Sequence, residues 1–471
     1  MRHLCMIALL CAALGASADA TEDTLRVGSF GKVHLYYNAA RVSQVVLFVS
    51  GDGGWNLGVV SMARTLASLD AVVVGIDIAR YLGALARSTD ACSYPAADFE
   101  MLSKTVQKKL GFAAYKTPIL VGYSSGATLV YGILVQAPAG TFGGAISMGF
   151  CPDLPLTKPL CKGSGLVSEP MPKNKGYNLM PTPAVSAPWI MFQGEADQVC
   201  DASFSRKYAE ATRGARVDSL PKVGHGFSVE KNWLPQFKQA FTEIVSQNAA
   251  NQPPPLSAEV SDLPLVEVAA TGKATDLFAV LLTGDGGWAG IDREIAASLS
   301  AAGIPVVGLN TLQYLWTKRT PEEASAALDR IVRHYSSAWN KQGTVLVGYS
   351  LGADMAPFMA GRLPKPTLDR VRLIAMLGLS PTVEFQFHVG EWLGAGPGKD
   401  GLPVVPEIAK LSGRSMLYFY GSEETETLKD RLDTSVVRKI ELPGGHHFNG
   451  RYDLIASGIL AEISAPKGSA K

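Results

Sequence analysis

The chain of 471 residues has almost no net charge, formally +1 from 43 basic and 42 acidic side chains. So even a balance gives no global attraction to polyanions, which sets nucleic acid aside as a partner. Past its first twenty residues the chain has no uninterrupted apolar stretch near the roughly 18 residues of a membrane span. It has no CxxC pair, which removes the usual zinc patterns and any implied metal. The glycine-rich "TGDGGW" loop has neither the GxxxxGKS pattern nor the GxGxxG spacing, so nucleotide binding is not expected and no cofactor is called for. A charged fraction of 18% beside 47% hydrophobic residues excludes a disordered chain. Cysteine is scarce and unevenly placed. Outside the first twenty residues only Cys92, Cys151, Cys161 and Cys200 occur, all in the first half. An even number suits two disulfides in an oxidising compartment, with three connectivities open. The second half has no such cross-link available.

The opening "MRHLCMIALLCAALGASADA" has a basic start at Arg2, an apolar middle, and Ala18 and Ala20 in the A-x-A arrangement of a signal peptidase site. A cleaved export signal over residues 1–20 and a soluble, exported mature protein are the expectation. A lipid anchor on Cys11 is the competing reading, and Leu10 stands where such sites take a small residue.

The chain is long for one domain, and its halves repeat. "VSGDGGW" (Val49 to Trp55) returns as "LTGDGGW" (Leu282 to Trp288), and "VVVGIDIARYL" as "PVVGLNTLQYL". "VGYSSGAT" around Ser124 returns as "VGYSLGAD" around Ser350. "FQGEAD" matches "FYGSEE", and "VGHGF" matches "GGHHF". Ordered blocks with a slowly drifting offset mark tandem domains. The stretch Gln247 to Pro264, with its Pro253 to Pro255 run, suits a linker. The expected layout is an amino-terminal domain over 21–246, a linker over 247–264 and a carboxyl-terminal domain over 265–471.

Within each half, short runs rich in Val, Ile and Leu, such as Val45 to Val49 and Leu277 to Leu282, look like strands buried on both faces. Stretches between them, such as "TPEEASAALDRIVRHYSSAW", have helical spacing. The fold class expected is α/β, with a mostly parallel sheet flanked by helices in each half. Ligands bind such sheets at the carboxyl ends of the strands, where the repeated blocks fall.

The blocks carry a definite chemistry. In G-x-S-x-G a sharp strand-to-helix turn exposes a serine hydroxyl above the sheet. That hydroxyl needs a base, and the base an orienting acid. Ser350, Glu424 and His446 stand in the required order, as do Ser124, Asp197 and His225, a possible second site in the amino-terminal half. Glu423 and Glu426 compete with Glu424 for the acid, and His447 with His446 for the base. Donors for an oxyanion would be the amide of Leu351 and that of Asp285 in the "TGDGGW" loop. Asp354, one helical turn after Ser350, suits the helix dipole in the plainer reading; were the substrate cationic, it would be the candidate reader. Phe385, Phe387 and Trp392 could line a lipid groove or belong to the core.

"GDGGW", "PVVGLNTLQYLW", "VGYSLGAD" and "EFQFHVGEWLG" resemble the bacterial VirJ domain, and the two-domain exported layout resembles the AcvB proteins, whose carboxyl half is VirJ-like. The resemblance implies two tandem α/β-hydrolase-like domains, a periplasmic location and hydrolysis of aminoacylated phosphatidylglycerol, lysyl-phosphatidylglycerol above all. It also implies that the carboxyl domain holds the essential nucleophile, here Ser350, with the phospholipid met at the membrane surface. A non-catalytic role beside secretion-system or effector proteins, and a general exported carboxylesterase, are the other readings.

Overall fold

The structure, a computed structural model, describes residues 21–38, 42–250, 257–387 and 401–465. The export signal expected over 1–20, the Pro253 to Pro255 run and Trp392 lie outside the described residues.

Two separate sheets divide the chain. The first has eight strands, in spatial order Thr21–Val27, Gly31–Tyr37, Ala71–Ile76, Gln44–Val49, Ile119–Tyr123, Ala145–Met148, Ala184–Gly194 and Arg213–Leu220. The second has seven: Leu265–Val268, Val306–Leu309, Leu277–Leu282, Gly343–Tyr349, Val371–Leu377, Met416–Gly421 and Arg438–Leu442. From Ala71–Ile76 and from Val306–Leu309 onward every pairing in the main sheets is parallel. The strands before those points join antiparallel. This is the α/β-hydrolase arrangement, present twice.

Both faces of each sheet are covered, which is why the central strands read as continuous apolar runs. Along Gln44–Val49, Leu47 and Val49 face one core while Val46 and Phe48 face the other. In the second sheet, Val280 and Leu282 join one core and Ala279 and Leu281 the opposite one. The linker begins later than expected. The helix Leu234–Ala250 continues through Gln247, because Phe237, Ala240, Phe241 and Ile244 bury one stripe of it against the first sheet. Phe385 and Phe387 belong to the core of the second half, not to an open groove.

The cysteines pair as Cys92 with Cys161 and Cys151 with Cys200. Among the described residues no helix is long and apolar enough to cross a membrane.

The halves also touch. Lys104, on the helix Pro95–Lys109 of the first half, has a side chain only 1% exposed and pairs with Glu100 at 2.8 Å. Its ammonium donates to the carbonyl of Asp285 in the second half at 3.2 Å. Beside it the Lys108 ammonium sits 4.2 Å from the ring centre of Trp316, whose indole N–H donates to the carbonyl of Phe112 at 2.6 Å.

Candidate active sites

Each G-x-S-x-G turn is forced by backbone crowding. A Cβ added at Gly348 would come within 2.4 Å of the carbonyl oxygen of Gly352, and one at Gly352 within 2.2 Å of that of Leu282. The strand can pass into the helix Leu351–Ala360 this tightly only because both positions lack side chains. The serine between them takes the strain, at φ 51° and ψ −121°, and Ser124 does the same at φ 55° and ψ −125°. A non-glycine residue held there costs on the order of 1–3 kcal/mol, a cost typically met at functional sites.

In the first half the relay is complete. Ser124 Oγ lies 2.9 Å from His225 Nε2, and His225 Nδ1 lies 2.9 Å from Asp197 Oδ2. Asp197, its side chain fully buried, accepts through Oδ1 from the amides of Val199 at 2.8 Å and Cys200 at 2.9 Å. Asp197, Cys200 and His225 bring metal-capable atoms within 4.8 Å of one another. The Cys200 sulfur is bonded to Cys151, however, so the trio lacks the thiolate that a metal would take.

The second half repeats the layout with one link open. His446 Nδ1 lies 2.6 Å from Glu424 Oε1, and Glu424 Oε2 accepts from the Gly421 amide at 2.7 Å. Burial by itself would raise the Glu424 carboxyl. The hydrogen bonds from His446 and Gly421, with the charge of the nearby imidazoles, outweigh that and hold it below the ordinary carboxylate range. The structure thus picks Glu424 from the three glutamates, since Glu423 and Glu426 are exposed. The His446 imidazole packs on Gly378, where a Cβ would come within 2.6 Å of its Cε1, and the Ser350 amide bonds to the adjacent Leu377 carbonyl at 2.8 Å. Base and serine therefore share one loop cluster. No hydrogen bond joins Ser350 to His446 among the described residues, whereas Ser124 and His225 have theirs. His447 turns aside, its Nδ1 3.0 Å from the Tyr349 hydroxyl.

Asp285 lies in a tight turn closed by the Gly287 amide on the Gly284 carbonyl at 3.0 Å, beside the serine. Sequence reasoning missed its support. The Thr311 hydroxyl donates to the carbonyls of Thr283 and Gly284 at 2.8 and 2.7 Å, and Lys104 holds the next carbonyl from the other half. Leu351 opens the helix after Ser350, which directs its amide to the same side.

Asp354 does not serve as a cation reader. It is 3% exposed and its Oδ1 accepts from the Ser380 amide at 2.7 Å, so it ties the helix to the loop after Val371–Leu377. Helical spacing placed it correctly one turn beyond Ser350, but that turn is covered by protein. Burial pushes its carboxyl well above the ordinary range despite the Ser380 bonds. Its raised folded value means that its contribution to stability is complete below the ordinary carboxylate range and is lost as pH rises through the folded value. Asp354→Asn keeps an acceptor for Ser380 without the buried charge. A melting temperature higher by on the order of 2–5 °C at neutral pH is expected, with little change in acid. Calorimetry at the two pH values checks this, and a lower melting temperature at neutral pH would overturn it.

A family model described as bacterial virulence protein (VirJ) matches residues 43–141 and 276–467. The chain belongs to the VirJ family. The VirJ match takes in the serine turn of both halves, and in the second half the histidine and acid as well. Among solved structures, the chain is similar to a dienelactone hydrolase from Anabaena variabilis at 15% identity and TM-score 0.35, covering 49% of this chain and 99% of that one. It is similar to a putative dienelactone hydrolase from Klebsiella pneumoniae at 14% and 0.34, covering 49% and 98%. The esterase domain of a Rhodothermus marinus protein aligns at 14% and 0.32, covering 50% and 98%. A comparison with curated proteins finds no match.

Proposed function

We propose that the second half is a periplasmic serine esterase that hydrolyses the aminoacyl ester of aminoacylated phosphatidylglycerol, the lysyl lipid above all. The observation that carries the reading is His446, locked by Glu424 at 2.6 Å and packed on Gly378 beside the strained Ser350. Glu424 fixes the tautomer that leaves Nε2 free to accept a proton. Ser350 Oγ attacks the ester carbonyl and His446 takes its proton. The amides of Leu351 and Asp285 meet the developing oxyanion. The glycerol hydroxyl of the lipid leaves with that proton. Water, deprotonated by the same imidazole, then releases lysine and restores the serine.

The lipid substrate is what the resemblance to the AcvB and VirJ proteins implies, and the VirJ match supports that resemblance. The exposed Glu423 and Glu426 beside the site add an anionic rim that would attract a cationic headgroup. Two disulfides fit an oxidising compartment. The test is to incubate the purified protein with vesicles containing lysyl-phosphatidylglycerol and follow free lysine. Unchanged lipid in the presence of folded protein refutes the proposal.

A further inference from the structure

We infer that the first half is a second, independent hydrolytic centre, with Ser124 as nucleophile, acting on small uncharged carboxylic esters. The inference concerns a different site from the one proposed above and does not depend on it.

Three observations converge. The first is the complete relay of Ser124, His225 and Asp197, both links at 2.9 Å. A domain kept only for docking has no need of a serine in a strained conformation, nor of a fully buried carboxylate aligned on a histidine. The second is the anchoring of the acid. The amide of Cys200 bonds Asp197, and the disulfide to Cys151 fixes that turn to the end of the neighbouring strand. The third is space. A cavity of about 330 Å³ opens directly on Ser124, lined among others by Asp52, Asn56, Val59, Met62 and Tyr123. That is the low end of the range for small-molecule sites.

The lining also gives the substrate class. In the repeat, Asn56, Val59 and Met62 correspond to Ala289, Asp292 and Ile295. The cavity has apolar side chains at Val59 and Met62, and Asp52, the acid in its lining, is engaged by the Ser125 hydroxyl at 2.6 Å. A short, uncharged acyl group fits such a cleft better than a long chain or an aminoacyl cation.

The chemistry balances with water as co-reactant. Ser124 Oγ forms a bond to the ester carbonyl carbon while His225 Nε2 takes the hydroxyl proton. The alcohol leaves with that proton, and an acyl group remains on Ser124. Water attacks this acyl group, His225 takes its proton and returns it to Oγ, and the carboxylic acid departs.

The experiment uses the full chain, wild type and Ser350→Ala, treated with a biotinylated fluorophosphonate, digested and mapped by mass spectrometry. p-Nitrophenyl acetate and decanoate hydrolysis are measured alongside. An adduct on Ser124 is expected in both proteins. Acetate hydrolysis should persist in Ser350→Ala and fall by roughly 10³-fold or more when Ser124→Ala is added. The acetate should be cleaved roughly tenfold or more faster than the decanoate. His225→Ala, a second variant, should lose the Ser124 adduct and keep one on Ser350. An unlabelled Ser124 in Ser350→Ala protein with a wild-type circular dichroism spectrum overturns the inference, and faster decanoate cleavage overturns its substrate class. Labelling of Ser124 without Ser350 would leave this inference standing and sink the proposed lipid hydrolase. The reverse pattern would do the opposite.

Discussion

Ser350→Ala is expected to reduce lysine release from lysyl-phosphatidylglycerol by roughly 10⁴- to 10⁶-fold, the range found when a relay nucleophile is deleted. The loss should fall on kcat, because the hydroxyl acts on the reacting carbonyl and contributes little to holding the lipid. Folding should survive, since the substitution leaves the Cβ that already occupies the strained position and removes a hydroxyl bonded to no neighbour among the described residues. Ser124→Ala, by contrast, should leave lysine release within about twofold of wild type. Separate assays of the two variants, with lipid loss followed by mass spectrometry, decide the matter. Equal losses in both would mean that the two sites do not act independently.

Glu424→Gln is expected to lower kcat for the same reaction by roughly 10³- to 10⁴-fold, because an amide there no longer holds the imidazole in the accepting tautomer. Glu423→Gln and Glu426→Gln, exposed and with no hydrogen bond to His446 among the described residues, should keep kcat within about twofold. The carboxyl of Glu424 lies below its ordinary range in the folded protein. Its stabilising contribution is therefore complete above the ordinary carboxylate range and is lost as pH falls through the lower folded value. The gap in melting temperature between wild type and Glu424→Gln should narrow from about pH 6 to about pH 3. A gap that stays constant would show that the variant acts through packing and not through the charged pair.

How much of this was legible in the sequence follows from what each signal measures. Central strands such as Gly343–Tyr349 were readable because two cores demand apolar residues on both faces. Edge strands such as Thr21–Val27 and Arg438–Leu442 were not, since they bury little and their side chains are mixed. The order of serine, acid and histidine survived because it reflects topology, and both sheets bring those loops to the same end. The choice of Glu424 needed the Gly421 amide, a backbone position invisible to composition. Asp354 misled because a helical wheel gives direction and not what lies across from it. The repeat of "GDGGW" with "VVG" proved to be one steric unit. A Cβ at Gly308 would lie 2.1 Å from the Trp288 ring, and one at Gly75 lies as badly against Trp55, at 2.2 Å. Neither tryptophan can be kept unless its glycine is kept too.

The grip of Lys104 on the Asp285 carbonyl carries a consequence for how the two copies have diverged. One copy reaches into the turn that would face its sibling's substrate, and among the described residues no matching lysine reaches back to Asp52. The duplicated parts have therefore become unequal, one serving as a buttress for the other, so that separating the halves would take the Lys104 ammonium from a peptide oxygen and the Lys108 and Phe112 contacts from Trp316.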